Sequence, residues 1–410
     1  MSASPRTPWL RTPDVGTGML ENRERVPLGA LRRARRERVF AAMREHGLDA
    51  CLFGREANVR YACGVRRLWT AQSRPFSPTC VIVRDTEAVH LLAFSASAEG
   101  IPEELSPDDV FPVTWNPARF ADHVAATPGL REARRIGVDG MTPGFQRLLE
   151  GLSPGVEWVA AEPVMRALRR RKLPEEVACL RIAVAIAESA LLEAALRAVP
   201  GASEKELQAV YLARLCELGT SQFAQQGTFT VIGPQGGLRW ITGQRILAEG
   251  DLVALAGGAL WAGYEGSLAR TWWCGRRAPS SGARALAACG REALEALVAG
   301  CRPGASGTEL RGALEATAAG RAGARFAVAS LGIGHEGQLA ASDLDAGVEA
   351  RERVEAEMVL AVRVFAPGAE GGWLGEEMIA VGPREVERLT TLGPGPLAAE
   401  EGTARTEARR

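Results

Sequence analysis

Two apolar runs, residues 252–256 and 259–262, flank Gly257-Gly258, and a third follows Gly263-Tyr264. Uninterrupted apolar runs of strand length, punctuated by glycine, predict a buried hairpin that continues into another strand. Such a hairpin belongs in a domain core. Toward the N-terminus, Leu31, Val39, Phe40 and Met43 ride on an Arg/Glu-rich background over residues 28–45, which predicts a surface helix. Apolar segments at 49–53, 80–84, 89–94 and 135–139 read as strands. Their alternation with helical stretches predicts an α/β layer.

The chain also repeats itself. Residues 200–207 read PGASEKEL and residues 303–310 read PGASGTEL, an offset of 103. Each copy follows an Ala/Leu-rich amphipathic helix, 182–198 or 283–299, and each opens another helix with Ser203 or Ser306 as N-cap. A repeated helix, turn and helix followed by strands implies two similar halves about a pseudo-twofold axis.

With 410 residues the chain is long enough for more than one core. Residues 1–30, rich in Pro, Gly and Arg without periodicity, predict a flexible arm, and the polar stretch 396–410 a disordered tail. Between them lie a smaller domain over 31–162 and a larger one over 163–395. Lys+Arg and Asp+Glu both number 49, so net charge attracts neither nucleic acid nor an anionic membrane, and no partner of either kind is expected. The eight cysteines show no CxxC pair and no His at ligand spacing, and they read as reduced core thiols. There is no signal-length apolar stretch at the N-terminus and no run of transmembrane length, so a cytoplasmic protein is expected. The glycine-rich stretch 233–237 lacks a following Lys-Ser or Lys-Thr, which argues against a phosphate loop.

Residues 250–273, GDLVALAGGALWAGYEGSLARTWW, resemble the metal-binding hairpin of the pita-bread family, which holds aminopeptidase P, prolidase, methionine aminopeptidase and creatinase. The joint VMRALRRRKLPEEVACLRIA at 164–183, where Pro174 can start a helix with Glu175 and Glu176 in its first turn, resembles the family's "lRxiKspeEixxlrxA". The helix, strand and Asn58-Val59-Arg60-Tyr61 with Gly64 resemble the small N-terminal domain of the creatinase and prolidase branch. The resemblance implies a small N-terminal α/β domain followed by a duplicated pita-bread domain with its active site between the two halves. It also implies a homodimer.

The family's metallopeptidases place five metal ligands in the order Asp, Asp, His, Glu, Glu. The matching positions here are Ala256, Ser267, Leu331, Arg363 and Glu376, one family ligand in five. A dinuclear hydrolytic site needs bridging carboxylates and a His, so no metal and no other cofactor is expected, and Arg363 would put a permanent cation where a metal should sit. Creatinase works without metal through a His, but that position is taken by Trp240. Trp240, Trp261, Ala256 and Leu331 together suggest an apolar wall, suited to an apolar ligand or to a site filled in and retired.

The polar candidates are few. His335, in GIGHEGQ, is the only His of the larger domain and the first choice for general acid or base, with Glu336 beside it. Aligning it with the family's second His requires a gap, without which Gln338 takes the position. Glu376 could orient His335 or pair with Arg363, and Arg363 could hold a substrate carboxylate. Glu265, two residues before Ser267, would share its face in a regular strand and could supply a displaced carboxylate. Ser267 has no His at a fixed spacing and is placed among substrate contacts, not nucleophiles. The leading expectation is a metal-independent enzyme acting on a small molecule, cleaving a C–N or amide bond or catalysing an acid/base rearrangement. A catalytically inactive binding module and an ordinary Xaa-Pro metallopeptidase are the alternatives.

Overall fold

The computed structural model describes residues 26–65, 80–93, 101–102, 104–112, 114, 116–140, 142–152, 155–220, 223–234 and 237–393. The expected tail at 396–410 and most of the expected arm at 1–30 fall outside the described residues. The chain divides into two compact units, one within Leu20–Arg169 and one within Arg170–Arg410.

The first unit runs α1 (Leu28–Glu45), β1 (Ala50–Phe53), α2 (Glu56–Cys63), β2 (Cys80–Val83), β3 (Ala88–Ala93), β4 (Val110–Pro112), α3 (Pro117–Ala125), β5 (Arg135–Val138), α4 (Pro143–Leu152) and β6 (Glu157–Ala160), and α5 (Glu162–Arg170) ends it. Its six strands form one mixed sheet in the order β4-β3-β2-β1-β5-β6. The central strands β1 and β2 are buried at every residue, which their uniformly apolar sequences predict. Asn58 lies inside α2, where it bridges Asp139 and Glu162 and accepts from Arg169. Asn58 of the motif seen in the sequence is thus a buried hydrogen-bond node, with its amide nitrogen and oxygen both partnered.

The second unit runs α6 (Pro174–Leu196), α7 (Glu204–Glu217), β7 (Phe223–Val231), β8 (Asp251–Trp261), β9 (Tyr264–Cys274), α8 (Ser281–Gly300), α9 (Gly307–Glu315), α10 (Ala318–Arg321), β10 (Arg325–Gly332), β11 (Gly334–Ala341), α11 (Ala346–Arg351), β12 (Val359–Gly368), β13 (Gly371–Val381) and β14 (Val386–Arg388). The sheet order is β11-β10-β12-β13-β9-β8-β7, with β14 on β13. Pro174 does start α6, and the Glu176 side chain accepts from the Leu173 N–H at 2.9 Å. Tyr264 donates to the other Glu176 oxygen at 3.0 Å, tying α6 to the hairpin β8–β9.

The repeat is visible bond by bond. Ser203 and Ser306 both cap a helix through a reciprocal box, with Glu206 and Glu309. Gly201 N–H donates to Leu247 and Gly304 N–H to Val354, at 2.9 and 2.8 Å. Leu247 N–H returns a bond to Ala202, and Val354 N–H to Ala305. The two halves of the sheet join where Glu376 of β13 lies opposite Ala269 of β9. Among the described residues, no helix is long and apolar enough to cross a membrane.

Candidate active site

The β8–β9 ladder pairs Ala256 with Ala269, Gly258 with Ser267 and Leu260 with Glu265. Directly paired residues share a face, so these six positions occupy one side of the hairpin. The other side belongs to the helices. A Cβ on Gly266 would stand 2.3 Å from the Val184 nitrogen of α6, and one on Gly257 would stand 2.6 Å from the Tyr211 ring of α7. Glycine there lets helix and strand approach closely.

This parity corrects one expectation. Trp261 pairs with Tyr264, whose hydroxyl reaches Glu176 on α6, so Trp261 lies on the helix side and is buried in packing there. It is not part of a substrate wall. Of the expected wall, Trp240 is half-exposed, and the Arg363 guanidinium lies over its ring at 5.0 Å. Ala256 is packed in a small apolar cluster with Ala269, Phe365 and Leu374.

Arg363 of β12 and Glu376 of β13 stand opposite each other in the ladder. The Arg363 Nε donates to one Glu376 oxygen and the Ser267 hydroxyl donates to the other. Both oxygens of this buried carboxylate are therefore engaged inside the protein. Arg363 gives its Nε to Glu376, and its side chain remains partly exposed.

Glu265 is buried on the same face. Its carboxyl is pushed up to about 7, first by burial, then by repulsion from Glu376 and Glu336, with Arg363 pulling the other way. Glu336 comes from β11, where Ser330 pairs with Gly337 and Leu331 with His335. Glu336 is thus the extra residue of a bulge, a device that re-aims a side chain out of the regular alternation. Leu331 is buried, and Gln338 pairs with Ala329 and is exposed. The backbone of His335 lies in β11, and its side chain is outside the described residues.

One residue at this site escaped the sequence reading. Lys172 is buried, and its Nζ donates to the Arg170 carbonyl at 3.3 Å. A Cβ on Gly332 would lie 2.9 Å from that Nζ and 3.3 Å from Glu336 Oε1, so lysine and bulged glutamate converge over one glycine. A signal was present: lysine occurs only twice, as Lys172 and Lys205, among 49 basic residues. A chain that writes arginine almost everywhere and keeps lysine at a buried position selects a compact ammonium over a planar fork.

The donor set does not fit a dinuclear metal centre. At the five aligned positions, Ala256 and Leu331 carry no donor atom, Arg363 is a cation, and Ser267 and Arg363 occupy both oxygens of Glu376. Among the described residues, no group of three or more His, Cys, Asp or Glu is placed to hold a metal ion.

The profile of Metallopeptidase family M24 matches residues 178–383, and that of the Creatinase/Prolidase N-terminal domain matches residues 35–171. No curated protein sequence matches the chain. Among solved structures, the prolidase from Thermococcus sibiricus superposes with a TM-score of 0.71 at 20% identity, covering 88% of this chain and 97% of that one. The Xaa-Pro dipeptidase from Bacillus anthracis gives 0.69 at 20%, covering 88% and 98%, and the dipeptidase PepE from Mycobacterium ulcerans gives 0.67 at 19%, covering 90% and 97%. At these identities the likeness establishes the fold and leaves the chemistry to the residues. With half its length matched by the peptidase profile and the N-terminal profile directly ahead of it, the chain belongs to metallopeptidase family M24, built as a creatinase-type N-terminal domain followed by a pita-bread domain.

Proposed function

We propose that this M24 member is a metal-independent acid/base enzyme acting on a small molecule at the face shared by Glu265, Ser267, Arg363 and Glu376. The observation that carries the reading is Glu265, a buried carboxyl brought to about 7 and therefore able to give or take a proton near neutral pH. The Arg363–Glu376–Ser267 set forms a fixed electrostatic floor, and Trp240 offers an aromatic edge to an apolar substrate. C–N or amide bond hydrolysis and proton-transfer rearrangement both call for such a group. Creatinase-branch kinship supports a homodimer, and the sequence supports a cytoplasmic location.

A specific observation also favours a second reading, a retired site serving as a binding module: Glu376 is satisfied within the protein and Ala256 is packed into a core cluster. Two measurements separate the readings. Plasma emission spectrometry and thermal-shift titration with Mn²⁺, Co²⁺ and Zn²⁺ should give near-zero metal and no shift; two tightly held equivalents would overturn metal independence. A panel of amides, amidines and Xaa-Pro dipeptides is then assayed in chelator with wild type and Glu265→Gln. Turnover lost in the variant supports the enzyme, and a panel inert to wild type supports the binding module.

A further inference from the structure

The two halves of the second unit can be compared residue by residue, because the repeat fixes which positions correspond. At the offset of 103, Leu191, Ala194, Ala195 and Ala198 correspond to Leu294, Leu297, Val298 and Cys301, and all of them are buried. The inward faces agree. The outward faces do not: Leu192, Leu196 and Val199 stand 37, 53 and 53% exposed, and their counterparts are Glu295, Ala299 and Arg302, all exposed. A fourth position behaves in the same way, since Ser203 bridges to Ile246, which is 58% exposed, and Ser306 bridges to exposed Arg353.

The four apolar residues lie together. Leu192 and Leu196 are one turn apart on α6, and Val199 follows in the turn where its carbonyl accepts from the Ala202 N–H at 3.1 Å. The N–H of Leu247, next to Ile246, donates to the Ala202 carbonyl at 2.8 Å and brings Ile246 beside the same turn. Single exposed apolar residues are ordinary, but a contiguous group marks a surface that something covers. The fold itself does not require these residues, because the matching helix and turn of the second half carry Glu295, Ala299, Arg302 and Arg353 instead.

Charge at the rim identifies the cover. Glu193 and Arg197 flank Leu192 and Leu196, and neither is in an ion pair with a described residue although they are spaced i,i+4. A twofold axis through the patch runs α6 antiparallel to its copy, so Glu193 meets the partner's Arg197 and Arg197 meets the partner's Glu193. The face is then self-complementary in charge as well as in hydrophobicity. We propose that the face formed by Leu192, Leu196, Val199 and Ile246 binds a second copy of this chain, with α6 crossing its copy antiparallel about a twofold axis. The proposal rests on the homodimer reading above and names the surface that makes the dimer.

The test follows the mass of the full-length protein by light scattering and sedimentation across a dilution series. Wild type should show twice the chain mass. Leu192→Glu/Val199→Arg/Ile246→Arg gives these positions the residues of the other half and should raise the dimer dissociation constant by about tenfold or more. Glu193→Arg or Arg197→Glu alone sets like charges against each other across the axis and should weaken the dimer, whereas the two substitutions together restore opposite charges and should recover most of the affinity. Mixing the two single variants should give a heterodimer. A wild type that stays monomeric at every concentration would overturn the homodimer reading and this proposal with it, and would give the patch another occupant. A dimer left intact by the triple variant would overturn the proposal alone, and a double charge swap as weak as either single variant would overturn the antiparallel second copy. Should the triple variant fail to fold, the charge swap on α6 decides.

Discussion

Arg363 and Glu376 face each other across β12 and β13, and the carboxylate they share a face with on β9, Glu265, is the one that titrates near neutrality. The relationship is one of division of labour among buried charges. Arg363 neutralises Glu376, whose remaining oxygen is satisfied by Ser267. Glu265 feels the guanidinium less than it feels burial and Glu376, and Glu336 adds to the rise, so it is the group that resists ionisation.

Removing one partner of this pair should be costly because the other stays buried. Arg363→Met leaves the Glu376 carboxylate without its cation and should destabilise the protein by about 3 kcal/mol. The double variant Arg363→Met/Glu376→Met should recover much of that loss, since neither charge then remains. Urea unfolding of the three variants at neutral pH measures both terms. Equal stability of the single and double variants would show that the pair is not coupled.

Glu265 gives stability a pH dependence of known sign. Its folded value, about 7, lies above the ordinary 4.5, so between those values the native state holds a proton that the unfolded chain has released. Its contribution is fully present below pH 4.5 and is lost as pH rises through 7. Glu265→Gln removes the titration, and should therefore be more stable than wild type at pH 8, by on the order of 3 kcal/mol, and nearly equal to it at pH 4. Thermal unfolding of both proteins at the two pH values checks the difference.

How much of this was legible depended on whether period or register decided the position. The shared face of Glu265 and Ser267 follows from a two-residue spacing, whereas the pairing of Arg363 with Glu376 was one of two roles the sequence offered for that carboxylate, settled by the register of β12 on β13. The repeat was readable because PGAS occurs twice ahead of Glu206 and Glu309, and the capping boxes repeat with it. Trp261 was misplaced because composition groups tryptophans while a strand separates them by parity. The aim of Glu336 could not be read, since GIGHEG offers several registers and the bulge chooses among them only through pairing with β10. Lys172 was hidden inside a joint motif, where a basic run reads as solvated surface.

Lys172 and Lys205 should differ sharply in reactivity, because the first is buried against Gly332 and the second is exposed on α7. Brief acylation of the folded protein should modify Lys205 at least tenfold faster, with Lys172 reacting only on unfolding. Lys172→Arg should cost about 1 to 3 kcal/mol, since a guanidinium overfills the space above Gly332. Peptide mapping after acylation and a urea titration of the variant test the two statements. Equal acylation rates would place Lys172 at the surface.

Gly266 connects the packing of the helices to the chemistry of the site. It lies between Glu265 and Ser267 and points the other way, into α6, where an added methyl would meet the Val184 nitrogen at 2.3 Å, the Ala183 carbonyl carbon at 2.4 Å and its oxygen at 2.8 Å. All three are backbone atoms, so no side chain can turn aside, and either α6 or β9 must move. Gly266→Ala should therefore destabilise by roughly 3 kcal/mol, at the upper end for an overpacked core. Gly257→Ala meets a side chain instead, the Tyr211 ring, whose hydroxyl donates to the Gly258 carbonyl at 2.9 Å, and it should cost less because the ring can shift at the loss of that bond. The two also differ at the site. A displaced β9 carries Glu265 and Ser267 with it and loosens their burial, so Gly266→Ala should flatten the fall in stability between pH 5 and pH 8 that Glu265 imposes. Gly257→Ala, acting on β8, should leave that slope nearly intact. Unfolding curves of both variants across that pH range read the slopes, and a slope unchanged in Gly266→Ala would mean that Glu265 keeps its surroundings independently of the helix contact.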